Sequence, residues 1–381
     1  MAPRKPRTAA PRSTAPSPAA RVAPLWTILV PVGALAGVAA VMLGLPGGIP
    51  TLLVPVAVAV LLATVFAAVH HAETIAHRLG DPYGAILLAL AVTVIEVALI
   101  VSVLLSAPPG TSAIARDTVF AAIMIVLNGI VGLCLLVGGV RHREQGFQAL
   151  GATGALAVLG TVAVLALVLP NYTLTVPGPV YAPPQLLFVA ATSLALYGLF
   201  LFVQMVRHRD AFRDRSSEDH DTAHAGPPPD RRRMAVALGM LPLALLAVVG
   251  LAEALAPTVE HAVARAGLPA ALVGVTIAMT VLLPEGTAAL RAARANRIQT
   301  SLNLALGSAL ASICLTIPTV AVLSVLLGQP LILGLEAEHI VLLVLSLFMA
   351  TLSLAMGRTT ILQGGVHLVI FGAFLTIAAI P

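Results

Sequence analysis

The sequence predicts an all-α, polytopic membrane protein of about eleven transmembrane helices, a first helix followed by two inverted five-helix repeats. The first reason is apolar content: 59% hydrophobic and 10% charged residues, with a mean hydropathy of +1.01, do not make an ordinary water-facing surface. The second is the one-sided placement of basic residues, and the third is a local likeness between the two halves of the chain. Strands of a membrane barrel would alternate apolar and polar residues over about ten positions. The stretches here are apolar on every side, which excludes a barrel.

Residues 1–22 are rich in Pro, Ala, Ser and Arg, cannot build a core, and read as a disordered cytoplasmic tail. The run 23–43 has spanning length and no clear small-residue cleavage site, so it reads as a retained first transmembrane helix rather than a signal peptide. Spans at 50–69, 84–105, 118–140, 149–169 and 186–206 make the first repeat, 50–206. The segment 207–233 mixes Asp210, Asp214, Glu218, Asp219 and Asp221 with His208, His220 and His224, and reads as a cytoplasmic loop that tunes activity. Spans at 234–256, 269–290, 301–327, 340–356 and 361–380 make the second repeat, 234–381. Cys134 and Cys314 both fall inside spans, so no structural disulfide is expected.

With the N-terminus cytoplasmic, Arg116 and Arg265 fall outside and the other 19 of the 21 Lys and Arg fall inside. Under the positive-inside rule this puts the N-terminus inside and the C-terminus outside, in a multi-pass protein of the cell (inner) membrane. The same distribution explains the formal charge of +5 without nucleic acid. The expected partners are the lipid bilayer and small inorganic cations, and the sequence leaves the oligomeric state open.

The repeats announce themselves locally. His71-Ala72-Glu73-Thr74-Ile75-Ala76 is answered by Leu251-Ala252-Glu253-Ala254-Leu255-Ala256, each at the end of its half's first span. The next span of each half then holds one deep acid, Glu96 or Glu285. Because five is odd, the halves enter the membrane in opposite senses, an arrangement whose binding site lies near the midplane.

An acid at the centre of a spanning helix costs roughly 2.5 to 3.5 kcal/mol. Two such acids read as a carboxylate pair facing across the repeat interface, binding a cation when ionised and protons when it leaves; the bland alternative is a snorkelling acid or an unrelated buried pair. Thr93, three residues before Glu96, offers a hydroxyl on the same face. Pro284 has no N–H for the carbonyl of Thr280 and so leaves that oxygen for an ion, unless the kink serves packing alone. The third spans carry Asn128-Gly129 in one half and Asn303, Ser308 and Ser312 in the other, as further oxygen ligands or as interhelical glue. Glu73 and Glu253, at helix ends, read as a secondary relay. His70, Glu73 and His77 share a face and could hold a metal for a membrane-embedded enzyme, although a solvated face is the simpler reading. No zinc-protease motif, phosphate-cradling loop or nucleophile–base pair is present, and no cofactor is expected beyond the transported cation and proton.

These residues resemble the calcium/cation exchanger superfamily, most closely its bacterial ChaA-type calcium (sodium, potassium)/proton antiporters. The resemblance rests on Gly80-Asp81-Pro82-Tyr83-Gly84 leading to the stretch around Glu96, on Leu283-Pro284-Glu285-Gly286 leading through residues 291–297 to the run from Gln299 to Ser312, and on Arg116-Asp117-Thr118 and Asn128-Gly129. It implies an antiporter working by alternating access, with cation and proton shared by Glu96 and Glu285 and polar positions at Asn128 and Ser312. Relatives often place Asn three residues before each acid and a serine beside the first-half asparagine; this chain has Thr93, Leu282 and Met124 there. Calcium, sodium and potassium all remain in play, and a cation channel is the other transport reading.

Overall fold

A computed structural model describes residues 24–42, 53–79, 83–106, 113–212, 230–269 and 271–380. The tail 1–22 and residues 213–229 of the polar segment lie outside these. Eleven helical rods run through the described residues: α1 (Trp26–Met42), α2 (Val54–Leu79), α3 (Tyr83–Ser106), α4 (Ile114–His142), α5 (Ala149–Tyr172), α6 (Pro183–Arg207), α7 (Arg231–Arg265), α8 (Ala271–Arg294), α9 (Ile298–Leu327), α10 (Ala337–Ala355) and α11 (Ile361–Ala379). Among them, nine rods of the described residues are long and apolar enough to cross a membrane, and α1 is a shorter apolar helix. Uniformly apolar surfaces suit a lipid environment, where each backbone group must find its partner within its own helix.

The structure departs from the sequence expectation at three places. First, α7 runs on past residue 256 to Arg265 with Pro257 inside it, because losing one N–H does not stop a rod otherwise built of Ala, Val, Glu and Arg. Second, the expected loop 207–233 is shorter at both ends: a 3-10 turn over Arg209–Phe212 follows α6, and α7 begins at Arg231. Third, two three-residue strands, β1 (Glu144–Gly146) and β2 (Arg358–Thr360), pair antiparallel with Gln145 opposite Thr359. They are too short for a period of two to register in an apolar sequence.

The packing obeys an exchange of the two five-helix sets, α2–α6 and α7–α11. The first helices, α2 and α7, pack on each other; α3 packs on α9 as α8 packs on α4; α9 packs on α6 as α4 packs on α11. Such a pattern is what two inverted copies produce. A continuous apolar core runs through α4, α5, α8 and α9, from Val119 and Leu127 to Leu302 and Ile313, so α4 and α9 are the enclosed centre of the bundle. The α4–α11 crossing is very close: a Cβ on Gly132 would lie 2.9 Å from the Cβ of His367, and one on Gly364 would collide with the backbone of Leu136. Small residues let the two backbones approach this way.

α1 is not loose. Val38 packs against Gly250 of α7, and the buried ring of His71 donates from Nε2 to the carbonyl of Thr27 at 3.0 Å. At the turn between α8 and α9, Asn296 takes φ 59°, and Gln145 from the other half donates to its Oδ1 at 2.9 Å and to the carbonyl of Ala293 at 3.2 Å. This latch ties the two repeats at the end of the bundle where α4 finishes.

Candidate functional site

Glu96 lies in the middle of α3 among apolar neighbours, and only 3% of it is exposed. Thr93, one turn earlier, is equally buried, so both face inward rather than toward lipid. The partner of the carboxylate comes from the other repeat: Ser312 Oγ of α9 stands 2.6 Å from both Oε1 and Oε2 of Glu96. A hydroxyl has one proton, so it donates to one carboxylate oxygen and leaves the remaining acceptor capacity for something else. Ser312 is the middle of a stripe on α9. Ser308 precedes it by four residues and Thr316 follows it by four, on the same face; Thr316 Oγ1 is buried without a hydrogen-bond partner.

Glu285 follows Pro284 inside α8. Its Oε2 is sealed from solvent and has no hydrogen-bond partner. The charges acting on it include those of Glu96 and Glu73, while Glu73 in turn lies near Arg291. A buried carboxylate oxygen without a partner, within electrostatic reach of a second, buried carboxylate, is costly unless a proton or cation joins it. Oxygen is the ligand that hard cations take. The hydroxyl of Thr280 is spent on the carbonyl of Thr276 at 2.8 Å, whereas its own carbonyl receives no N–H from Pro284.

Asn128 sits elsewhere in the network. It occupies a π-helical turn of α4, Ile125–Ile130, the kind of bulge that often marks functional positions. Its Nδ2 donates to Ser346 Oγ of α10 at 2.8 Å, and its Oδ1 lies 3.0 Å from Nδ1 of His367 on α11. Ser346 passes its own proton to the carbonyl of Leu342 at 2.7 Å. With Nδ2 donating, Oδ1 must accept, so His367 carries a proton on Nδ1; its Nε2 faces Ser353 Oγ at 3.2 Å. All four residues are buried. Sequence reasoning named Asn128 but missed His367, Ser346 and Ser353. A histidine within the 361–380 span was the available signal, since an ionisable group inside a membrane is a functional candidate by default.

The remaining sequence-derived residues separate. Asn303 donates from Nδ2 to the carbonyl of Phe212 at 2.5 Å and accepts from Gln299 at 3.1 Å, some 13 Å along α9 from Ser312. It tethers the turn after α6 and does not join the acids. Glu73 and Glu253 are exposed, on α2 and α7. The ligand atoms of His70, Glu73 and His77 do not converge; among the described residues, the group that does is Glu336, Glu338 and His339.

Comparison with known proteins bears on the family and the fold. A family model described as sodium/calcium exchanger protein matches residues 49–206 and 236–380, leaving out the first 48 residues, which include α1, the whole of the polar segment 207–233 and the last residue. The chain is 51% identical over 360 residues to y4hA of Sinorhizobium fredii, whose name proposes an ionic transporter, covering 94% of this chain and 97% of that one. It is 35% identical over 356 residues to the sodium-potassium/proton antiporter ChaA of Escherichia coli, covering 92% and 94%. Its fold is similar to that of the solved structure of native YfkE, with a TM-score of 0.70, 17% identity, and coverage of 93% of this chain and 100% of that one. It is likewise similar to the H+/Ca2+ exchanger CAX, with a TM-score of 0.66, 12% identity, and coverage of 92% and 88%.

Proposed function

Because the chain belongs to the sodium/calcium exchanger protein family, we propose that it is a secondary antiporter that exports calcium, sodium or potassium in exchange for protons, with Glu96 and Glu285 as the shared site. The observation that carries this reading is the unpartnered, buried Oε2 of Glu285 near a second buried carboxylate, itself held by Ser312 of the opposite repeat. With a cation between them, both carboxylates stay ionised and their mutual repulsion is cancelled. When the cation leaves, protons must replace it, because two bare charges in a dry interior are too costly. Stoichiometric replacement is coupled exchange. The hydroxyls of Ser312 and Ser308 and the freed carbonyl of Thr280 are neutral oxygens that complete the shell, and Thr93 lines the same face as Glu96.

The distribution of arginine supports a cell-membrane protein with its N-terminus in the cytoplasm. Nothing in this reading requires a resident cofactor or an enzymatic step. The relative ChaA carries sodium and potassium in its name, and other relatives carry calcium, so the cation is left to experiment. Everted membrane vesicles containing the protein are loaded with a pH-sensitive dye and energised, and calcium, sodium and potassium are added in turn. The cation that releases protons names the substrate. Failure of all three in vesicles that contain the inserted protein overturns the antiport reading, and a passive cation current without proton movement replaces it with a channel.

A further inference from the structure

The end of the bundle where α4 begins and α9 finishes holds a second cluster, apart from the acids. Glu336 is the N-cap of α10, and Glu338 and His339 occupy its first turn. Their ligand atoms all lie within 4.8 Å of one another. An acidic helix start is by itself unremarkable, since carboxylates favour that position. His339 makes it more than that. Its side chain is only 9% exposed, its ring lies 4.9 Å from that of Phe120, and its Nδ1 is buried with no hydrogen-bond partner. That nitrogen faces Glu336 Oε2 at 4.0 Å, too far for a hydrogen bond. Two ligands on one tetrahedral metal stand about 3.3 Å apart, and the exposed Glu336 side chain needs only a small rotation to reach that spacing.

Arg116 is ion-paired to Glu336, but both of its hydrogen bonds go outside the cluster of three. It donates from Nε to Asp117 Oδ1 at 2.7 Å and from Nη1 to the carbonyl of Gly334 at 3.1 Å. Its Nη2 is 3.6 Å from the other oxygen of Glu336, Oε1, an ion pair too long for a hydrogen bond, which leaves Oε2 on the side of His339. Asp117, Glu336 and Glu338 against one Arg116 leave the cluster formally two charges negative. A cavity of about 440 Å³, lined by Arg116, Gly334 and Glu336 among others, lies against it.

We propose that Glu336, Glu338 and His339 form a binding site for a first-row divalent metal of zinc's class. The imidazole selects against calcium, which takes six to eight oxygen ligands, and for metals that combine nitrogen with carboxylate. The site is separate from the transport carboxylates: Gly274 of α8 packs on Asp117 and Thr118 beside the cluster, whereas Glu285 lies eleven residues, about 16 Å, further along that helix.

The test is calorimetric titration of zinc chloride into the untagged, detergent-purified full chain, into His339→Gln and Glu336→Gln, and into the double variant Glu96→Gln/Glu285→Gln. One zinc per chain is expected in the double variant, which lacks the transport carboxylates, and excess calcium should not displace it. Each of His339→Gln and Glu336→Gln should weaken that zinc at least tenfold. Unchanged zinc affinity in both single variants overturns the site, and so does loss of all zinc binding in the double variant. If His339→Gln does not yield monodisperse protein, Glu338→Gln takes its place with the same tenfold criterion. Failure here leaves the exchange assay untouched, so the two readings fall separately.

Discussion

α4 and α9 hold equivalent positions in the two repeats, yet they spend their polar residues differently. α9 is an unbroken α-helix whose Ser312 reaches across to the acid of the other half. α4 is interrupted by a π-helical turn, and its Asn128 is held by Ser346 and His367 instead of by an acid. Glu96 therefore has a donor and Glu285 Oε2 has none. Repeat symmetry fixes where helices lie but not what their side chains do. Two carboxylates at matching positions acquire different environments, and that difference is what mutagenesis can break or sharpen.

The largest effect removes the charges themselves. Glu96→Gln or Glu285→Gln keeps size and polarity but deletes both the charge and the exchangeable proton, so either should abolish cation-driven proton movement while membrane yield by immunoblot stays normal. Wild-type exchange by either variant would defeat the two-carboxylate mechanism. Next in size is the single cross-repeat hydrogen bond. A hydrogen bond to a charged group contributes about 1.5 to 3 kcal/mol, so Ser312→Ala should lower exchange at limiting cation by roughly 10- to 100-fold. Ser312→Thr, which restores a hydroxyl, should recover much of it.

The α4 side predicts a change of a different kind. His367→Phe leaves Asn128 Oδ1 buried without its donor, which costs about 1 to 3 kcal/mol. Reversible unfolding in mixed detergent micelles should register that loss, while exchange, measured where the protein remains folded, should fall less than in Ser312→Ala. Abolished exchange at unchanged stability would show that His367 belongs to the transport path and that the asymmetry between α4 and α9 has been misread.

Much of this was legible in the sequence, for identifiable reasons. Long apolar runs broken by arginine mark helix ends, so the eleven rods follow the expected spans closely. Glu96 and Glu285 stand out because a lone acid in an apolar stretch has no cheap explanation. The partner of Asn303 was not legible, because periodicity gives a helix face but not depth, and the carbonyl of Phe212 belongs to a turn that no pattern announces. His367 and His339 were passed over because each needs a partner from a distant helix to acquire meaning. The π-helical turn around Asn128 has no composition of its own, since it differs from its surroundings only in hydrogen bonding.

The smallest predicted difference separates two acids that the sequence treats as equivalents. Glu73 and Glu253 close matching motifs at the ends of the two first helices, and both are exposed. Their surroundings differ: the charges acting on Glu285 include Glu73, which Arg291 of α8 also faces, but not Glu253. Removing a negative charge near a cation site weakens attraction for the cation, and for partly solvated groups the effect is about 1 kcal/mol. That energy corresponds to roughly a fivefold change in apparent cation affinity. Glu73→Gln should therefore raise the cation concentration for half-maximal dye response about fivefold, and salt should shrink the difference because solvated charges are screened. Glu253→Gln should stay within about twofold of wild type. Equal shifts in the two variants would mean that the halves are electrically equivalent after all, and the contrast drawn between Glu96 and Glu285 would then rest on Ser312 alone.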